Sequence, residues 1–192
     1  MKFNPEHHHR RSIRLKGYDY SRAGAYFITI CTQDRACYFG HVAAGEMRLA
    51  DAGHVAEQCW LAIPDHFPHV ELDAFVIMPN HVHGIVVVSN TATSDAAVGA
   101  NNHSPNHSPN HLPLPFRSPS RTIGSIVRGF KIGVTKWFRQ NTEIVDVWQR
   151  NYFEHIVRDE NSLNRLRQYI FNNPANWDVD QNRATDGPGT GE

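Results

Sequence analysis

The chain is poor in cysteine, lacks any long apolar run, and carries no excess of charge of either sign. Its three cysteines among 192 residues, Cys31, Cys37 and Cys59, form an odd, scattered set with no Cys-x-x-Cys spacing. That excludes a disulfide scaffold and a thiolate zinc site, and it suits a reducing cytoplasm. No apolar stretch approaches a membrane span, and Met1 to Arg11 is polar and histidine-rich, unlike a secretory signal. The expected location is cytoplasmic, with no membrane partner. The nineteen basic and nineteen acidic residues cancel, which at first counts against nucleic acid. Their distribution weakens that objection, because acids are missing from particular regions. Arg10, Arg11, Arg14 and Lys16 form an acid-free arm. No Asp or Glu occurs from Ala96 to Thr142, while Arg117, Arg121, Arg128, Lys131, Lys136 and Arg139 fall between residues 117 and 139. A balanced total can hide a basic surface.

What is present is enough for one domain. Apolar residues make up 40% of the chain, sufficient for a real core. Ala25 to Thr32 reads as a buried first strand, with a second short one within Ala36 to Val42. Helical spacing runs from Asp51 to Ile63, closed by Pro64. Val70 to Met78 and His81 to Val88 read as strands joined around Pro79-Asn80, a turn-forming pair. Ser120 to Gln140 reads as the best helix, with Ile123, Ile126, Val127, Phe130, Val134 and Trp137 on one face. Arg121, Arg128 and Arg139 line the other, either as an ordinary wet face or as a phosphate-contacting ridge. Val147 to Val157 is an aromatic, partly extended segment. A final helix is capped by Asn161 or Ser162 and stopped by Pro174.

Residues 90–118 stand apart. Asn-His-Ser-Pro is repeated there, with further prolines, so the segment can neither bury apolar area nor hold a helix. It reads as a flexible insertion. His103, His107 and His111 recur at helical spacing, but the prolines forbid that helix and with it a metal stripe. The expected organisation is a basic arm over 1–23, a catalytic domain over 24–177 containing the insertion, and a loose polar tail over 178–192.

The chemistry concentrates in His81-Val82-His83. Side chains alternate along a strand, so both imidazoles project from one face and can hold a divalent ion, given a third ligand. The final helix offers one. Tyr169 and Asn173 are four residues apart, hence one above the other on the margin of the buried stripe. An amide oxygen is a competent ligand for a hard ion such as magnesium or manganese.

Five ordered blocks carry a resemblance. They are Tyr26-Phe-Ile-Thr-Ile-Cys-Thr32, Met78-Pro-Asn-His-Val-His-Gly84, Ile123-Gly-Ser-Ile-Val-Arg-Gly-Phe-Lys131 with Thr135-Lys-Trp137, Trp148-Gln-Arg-Asn-Tyr-Phe-Glu-His-Ile-Val-Arg158, and Tyr169-Ile-Phe-Asn-Asn-Pro174. Together they make the chain resemble the REP-associated tyrosine transposases, within the single-tyrosine HUH transposases of the insertion-sequence 200/605 type. The resemblance implies an α+β ferredoxin-like sandwich, an antiparallel sheet with helices on one side and the tyrosine helix packed beside the His strand. It implies His81 and His83 as the HUH metal ligands, Asn173 as the third, and Tyr169 as the catalytic nucleophile. The implied cofactor is Mg²⁺ or Mn²⁺. The implied partner is single-stranded or hairpin DNA in a bacterial cytoplasm, cut through a 5′-phosphotyrosine, with the protein a monomer or a homodimer. Arg10, Arg11, Arg14, Arg121, Arg128, Lys131 and Arg139 are the expected DNA-binding residues. A module that binds hairpins without cutting them is the alternative. Histidine-triad hydrolases are disfavoured because a third alternating position holds Ile85, and plasmid relaxases commonly use three histidines on a longer chain.

Overall fold

The computed structural model describes residues 22–89 and 121–183. The expected insertion with its three histidines, and the arm carrying Arg10, Arg11 and Arg14, lie outside the described residues. A first strand, β1 (Gly24–Cys31), leads to a two-stranded hairpin of β2 (Gly40–Ala43) and β3 (Glu46–Leu49). Helix α1 (Asp51–Leu61) and a short α2 (Ile63–His66) follow, then β4 (Val70–Met78) and β5 (His81–Val88). Helix α3 (Ile123–Asn141), β6 (Phe153–Val157) and α4 (Glu160–Asn172) complete the set. The four long strands pair antiparallel in the order β4-β5-β1-β6. With α1 and α3 as crossovers this is the βαββαβ arrangement of a ferredoxin-like sandwich.

Alternation along the strands divides the sheet into two unlike faces. Tyr26, Ile28 and Ile30 of β1 and Val82 and Val86 of β5 join Trp60 of α1 and Ile126, Phe130 and Val134 of α3 in the main core. Gly84 has a packing reason here: a Cβ would sit 2.2 Å from Cζ2 of Trp60, so only glycine lets that indole lie on β5. Phe27 and Ile85 face the other way and form a smaller cluster with Ile170, flanked by Leu163 and Leu166 of α4. The expectation of helices on one side therefore holds for α1 and α3, while α4 covers the opposite face. Arg167 ties α4 to β4 through a two-pronged pair with Asp73, Nε to Oδ1 at 2.9 Å and Nη2 to Oδ2 at 2.6 Å.

Three smaller expectations shift. The second strand is a hairpin turned at Ala44-Gly45, where φ values of 52° and 76° match the left-handed backbone of a tight two-residue turn. The α4 N-cap is Asp159, whose side chain accepts from the Ser162 N–H at 2.7 Å; the expected Asn161 and Ser162 lie inside the first turn. Helix α3 begins at Ile123, so Arg121 precedes it. Among the described residues no helix is long and apolar enough to cross a membrane.

Candidate metal and nucleophile site

Strand β5 lies centrally, flanked by β1 and β4, and its register sets His81 opposite Cys31 and His83 opposite Thr29. Both imidazoles are fully covered, at 0% and 2% exposure. Each is held by Nδ1. Thr29 Oγ1 lies 2.8 Å from Nδ1 of His83, and Asn80 Oδ1 lies 2.8 Å from Nδ1 of His81. Asn80 donates its Nδ2 to the carbonyls of Arg35 and Asn182, at 3.0 and 2.9 Å. Its oxygen must therefore accept from His81, which places the His81 proton on Nδ1 and leaves a lone pair on Nε2. Such outer partners orient metal-binding histidines. Burial, the largest influence, pushes the His81 pKa down to about 4 against the opposing pull of Asp180, and drives His83 well below its usual value. Both rings are neutral, the state a metal ligand requires.

The last turn of α4 delivers the other expected groups. Tyr169 Oη lies 3.2 Å from Nε2 of His83, and its ring meets those of Phe27 and His83 edge-on. The residue is 39% exposed, so the phenol is within reach of an outside substrate. Burial raises its pKa, and the Asp180 carboxylate adds to the rise. Asn173 follows as the helix C-cap and is buried. Tyr169, Asn173, His81 and His83 thus come together at one end of the sheet.

The structure adds a group that local sequence pattern assigns to a loose tail. Residues 178–183 fold back over the histidines rather than trailing away. A 3₁₀ turn over Trp177–Val179 stacks Trp177 on the His81 ring, 6.1 Å between centroids. Asp180 then points inward, its side chain 3% exposed, with Oδ2 3.9 Å from His81 Nε2 and 3.0 Å from Asn173 Nδ2. Arg35 bonds the Gln181 carbonyl, and the Asn182 carbonyl accepts from Asn80, which fixes the turn. Local bonds shape the turn, with Asp180 N–H donating to the Trp177 carbonyl at 3.2 Å and Asn182 N–H donating to Asp180 Oδ1 at 2.6 Å, but its docking against the histidines depends on the distant Asn80 and Arg35.

A divalent ion fits these groups. Among the described residues, Nε2 of His81 and Oδ1 of Asn173 are buried with no hydrogen-bond partner. Unpaired buried polar atoms cost about 1–3 kcal/mol each, a cost that a coordinated cation removes. Ligand atoms of His81, His83 and Asp180 lie within 4.8 Å of one another. Metal–ligand distances of about 2.1 Å put donors roughly 3 to 4 Å apart across an ion. The expected set of two imidazoles and an amide thus gains a carboxylate beside it.

Of the expected DNA-binding residues, Arg128, Lys131 and Arg139 line one groove on α3. Arg121 lies outside that lining, and its backbone hydrogen-bonds His69. The Lys131 ammonium also donates to the carbonyls of Gln149 and Asn151, at 2.8 and 3.1 Å, so it latches a neighbouring segment.

The chain is 49% identical over 180 residues, 94% of its length, to an uncharacterized protein of Haemophilus influenzae, covering 96% of that protein. The two belong to one family. A second protein of that organism, provisionally named a REP-associated tyrosine transposase, is 26% identical over 157 residues, 82% of this chain and 73% of that protein. A solved REP-associated tyrosine transposase bound to a REP hairpin superposes with a TM-score of 0.55 at 16% identity, over 86% of this chain and 74% of that one. No family model matches. The resemblance carried by the motifs is borne out: the chain is similar in sequence and in fold to the REP-associated tyrosine transposases.

Proposed function

We propose that this protein is a metal-dependent transposase that cuts and rejoins single-stranded or hairpin DNA through Tyr169. One observation carries the reading: a reachable phenol stands 3.2 Å from the inward nitrogen of a buried, neutral His-x-His pair. A nucleophile beside a site for a cation is one arrangement by which an enzyme can break and transfer a phosphodiester without water.

His81 and His83 would hold the ion by Nε2, with Asn173 Oδ1 or Asp180 as the oxygen donor. A bound divalent cation would polarise the scissile phosphodiester and neutralise charge developing on its oxygens. Imidazole nitrogens mixed with oxygen donors favour Mn²⁺ over Mg²⁺, which prefers oxygen alone. The Tyr169 oxygen attacks phosphorus; its bond to phosphorus forms as the bond to the 3′ oxygen breaks. The phenol loses its proton and the departing oxygen gains one, leaving a 5′-phosphotyrosine and a free 3′-hydroxyl. Attack by a 3′-hydroxyl on that linkage reseals the strand, because the phosphodiester energy is kept in the covalent bond. Thr29 and Asn80 orient the two rings, and Phe27 fixes the angle of the tyrosine.

The test is a labelled single-stranded hairpin incubated with the protein and Mn²⁺. The expected result is a DNA adduct that survives denaturing electrophoresis and disappears with chelator or in Tyr169→Phe. Hairpin binding without any adduct would assign the chain to the non-cutting alternative.

A further inference from the structure

On the face of the sheet away from Tyr169, α3 forms one wall of an open groove of about 660 Å³. Arg128, Lys136 and Arg139 line it from the helix, and Arg150 and Tyr152 from the segment that enters β6. Among the described residues no carboxylate lines it, although the chain as a whole is neutral. Arg128 and Arg139 are about 16 Å apart along the helix at 1.5 Å per residue, a run long enough for several backbone phosphates. Ile132, 60% exposed, adds an apolar step on the same wall.

The second wall is fixed in place before any ligand arrives. Lys131 clamps the carbonyls of Gln149 and Asn151, and the Trp148 indole donates to the Lys131 carbonyl at 3.3 Å. Arg150 is thereby presented to the groove at little ordering cost on binding. That same segment leads straight to the reacting face. Gln149 N–H donates to the Cys31 carbonyl at 3.0 Å, and Cys31 is the register partner of His81. Phe153, three residues past Arg150, meets Phe27 edge-on, and Phe27 touches both His83 and Tyr169.

We infer that this groove holds the single-stranded flank of the DNA strand that Tyr169 cuts, gripping its phosphates after the strand turns around the edge at β6. The inference rests on the proposed function and names a second contact region for its substrate. A duplex is too stiff to take so tight a turn, with a persistence length of about 50 nm, whereas a single strand bends freely. Cationic side chains beside an aromatic wall are the usual seat for such a strand. The groove positions the strand and takes no part in bond-making.

Binding of labelled DNA to the full chain, followed by fluorescence anisotropy in chelator, tests this without any cleavage. The probe is a hairpin with a single-stranded flank, titrated at several salt concentrations. Changing Arg128, Lys136 and Arg139 together to Gln is expected to weaken binding at least about tenfold and to reduce the salt slope by about 2. Arg150→Gln, which leaves α3 untouched, is expected to reduce the slope by about 1. Removing the flank from the hairpin should reproduce the triple-variant loss. Unchanged affinity and slope would overturn the inference. So would an equal loss on neutralising Arg48 and Arg158, which lie outside the groove lining. Groove dependence that persists with a flankless hairpin, or that appears only with RNA, would also overturn it. Because binding is read in chelator, a chain that grips flanked DNA yet forms no adduct would keep this inference and lose the proposed function.

Discussion

On one face of the sheet, β5 sends Val82 and Val86 into a core shared by β1, α1 and α3, closed by Trp60 lying on Gly84. On the other face, one residue out of step, it sends His81 and His83 toward α4 and the returning turn at Asp180. Twenty buried residues make up the first cluster and three the second, among those described. Stability and chemistry are thus divided across the thickness of a single sheet. A dry, well-packed face can offset the cost of leaving His81 Nε2 and Asn173 Oδ1 buried without partners. The difference also says where substitutions should act. Changes on the core face should cost folding, and changes on the α4 face should alter ion binding.

The largest effect is expected from Trp60→Ala, which opens a cavity where the indole meets Phe75 and Phe130. Stability to urea should fall by about 3–5 kcal/mol. A loss below about 1 kcal/mol, the ordinary size of a point-mutant effect, would break the division between the faces. Asp180→Asn comes next, and there the division predicts the reverse pattern. Affinity for Mn²⁺ in calorimetry should drop at least about tenfold, with stability changed by less than about 1 kcal/mol. Unaltered affinity would assign the oxygen ligand to Asn173 alone.

A smaller effect sharpens the picture within the site. With the His83 proton on Nδ1 toward Thr29, the tautomer a metal ligand through Nε2 requires, the Tyr169 phenol and a cation compete for one lone pair, that of Nε2. Tyr169→Phe should therefore tighten Mn²⁺ binding by roughly two- to tenfold, the worth of one net hydrogen bond. Weaker binding in that variant would mean that the phenol oxygen helps to hold the ion. The smallest effect belongs to Lys131, whose pKa burial lowers from 10.5 to about 8. Between those pH values the unfolded chain binds more protons than the folded one, so this group makes stability rise with pH across the window. Below about pH 8 its burial carries the full penalty. Lys131→Met should flatten that rise in chemical denaturation measured from about pH 8 to 10.5, and an unchanged slope would contradict the burial of its ammonium.

Much of this was legible in local pattern. Strands β4 and β5 come out at the residues expected because a β-branched run, interrupted only by Pro79-Asn80, permits little else. The His81–His83 alternation and the four-residue step from Tyr169 to Asn173 are geometric facts of strand and helix, and the fold preserves both. What was not legible depends on distant partners. Asp180 sits in a polar stretch whose placement needs Asn80, Arg35 and Trp177 together. Lys131 looks like any other cation on a wet helix face until Gln149 and Asn151 close over it. The α4 cap moved to Asp159 because three neighbouring polar residues compete for one N-cap, and tertiary docking through Arg167 and Asp73 selects the register.

The most direct measurement is to map the covalent product. Tryptic digestion of the protein after reaction with hairpin DNA and Mn²⁺, followed by mass spectrometry, should find a nucleotide on the peptide spanning 168–183, attached at Tyr169. A nucleotide on Tyr152 instead, or an adduct that persists in Tyr169→Phe, would contradict the central claim.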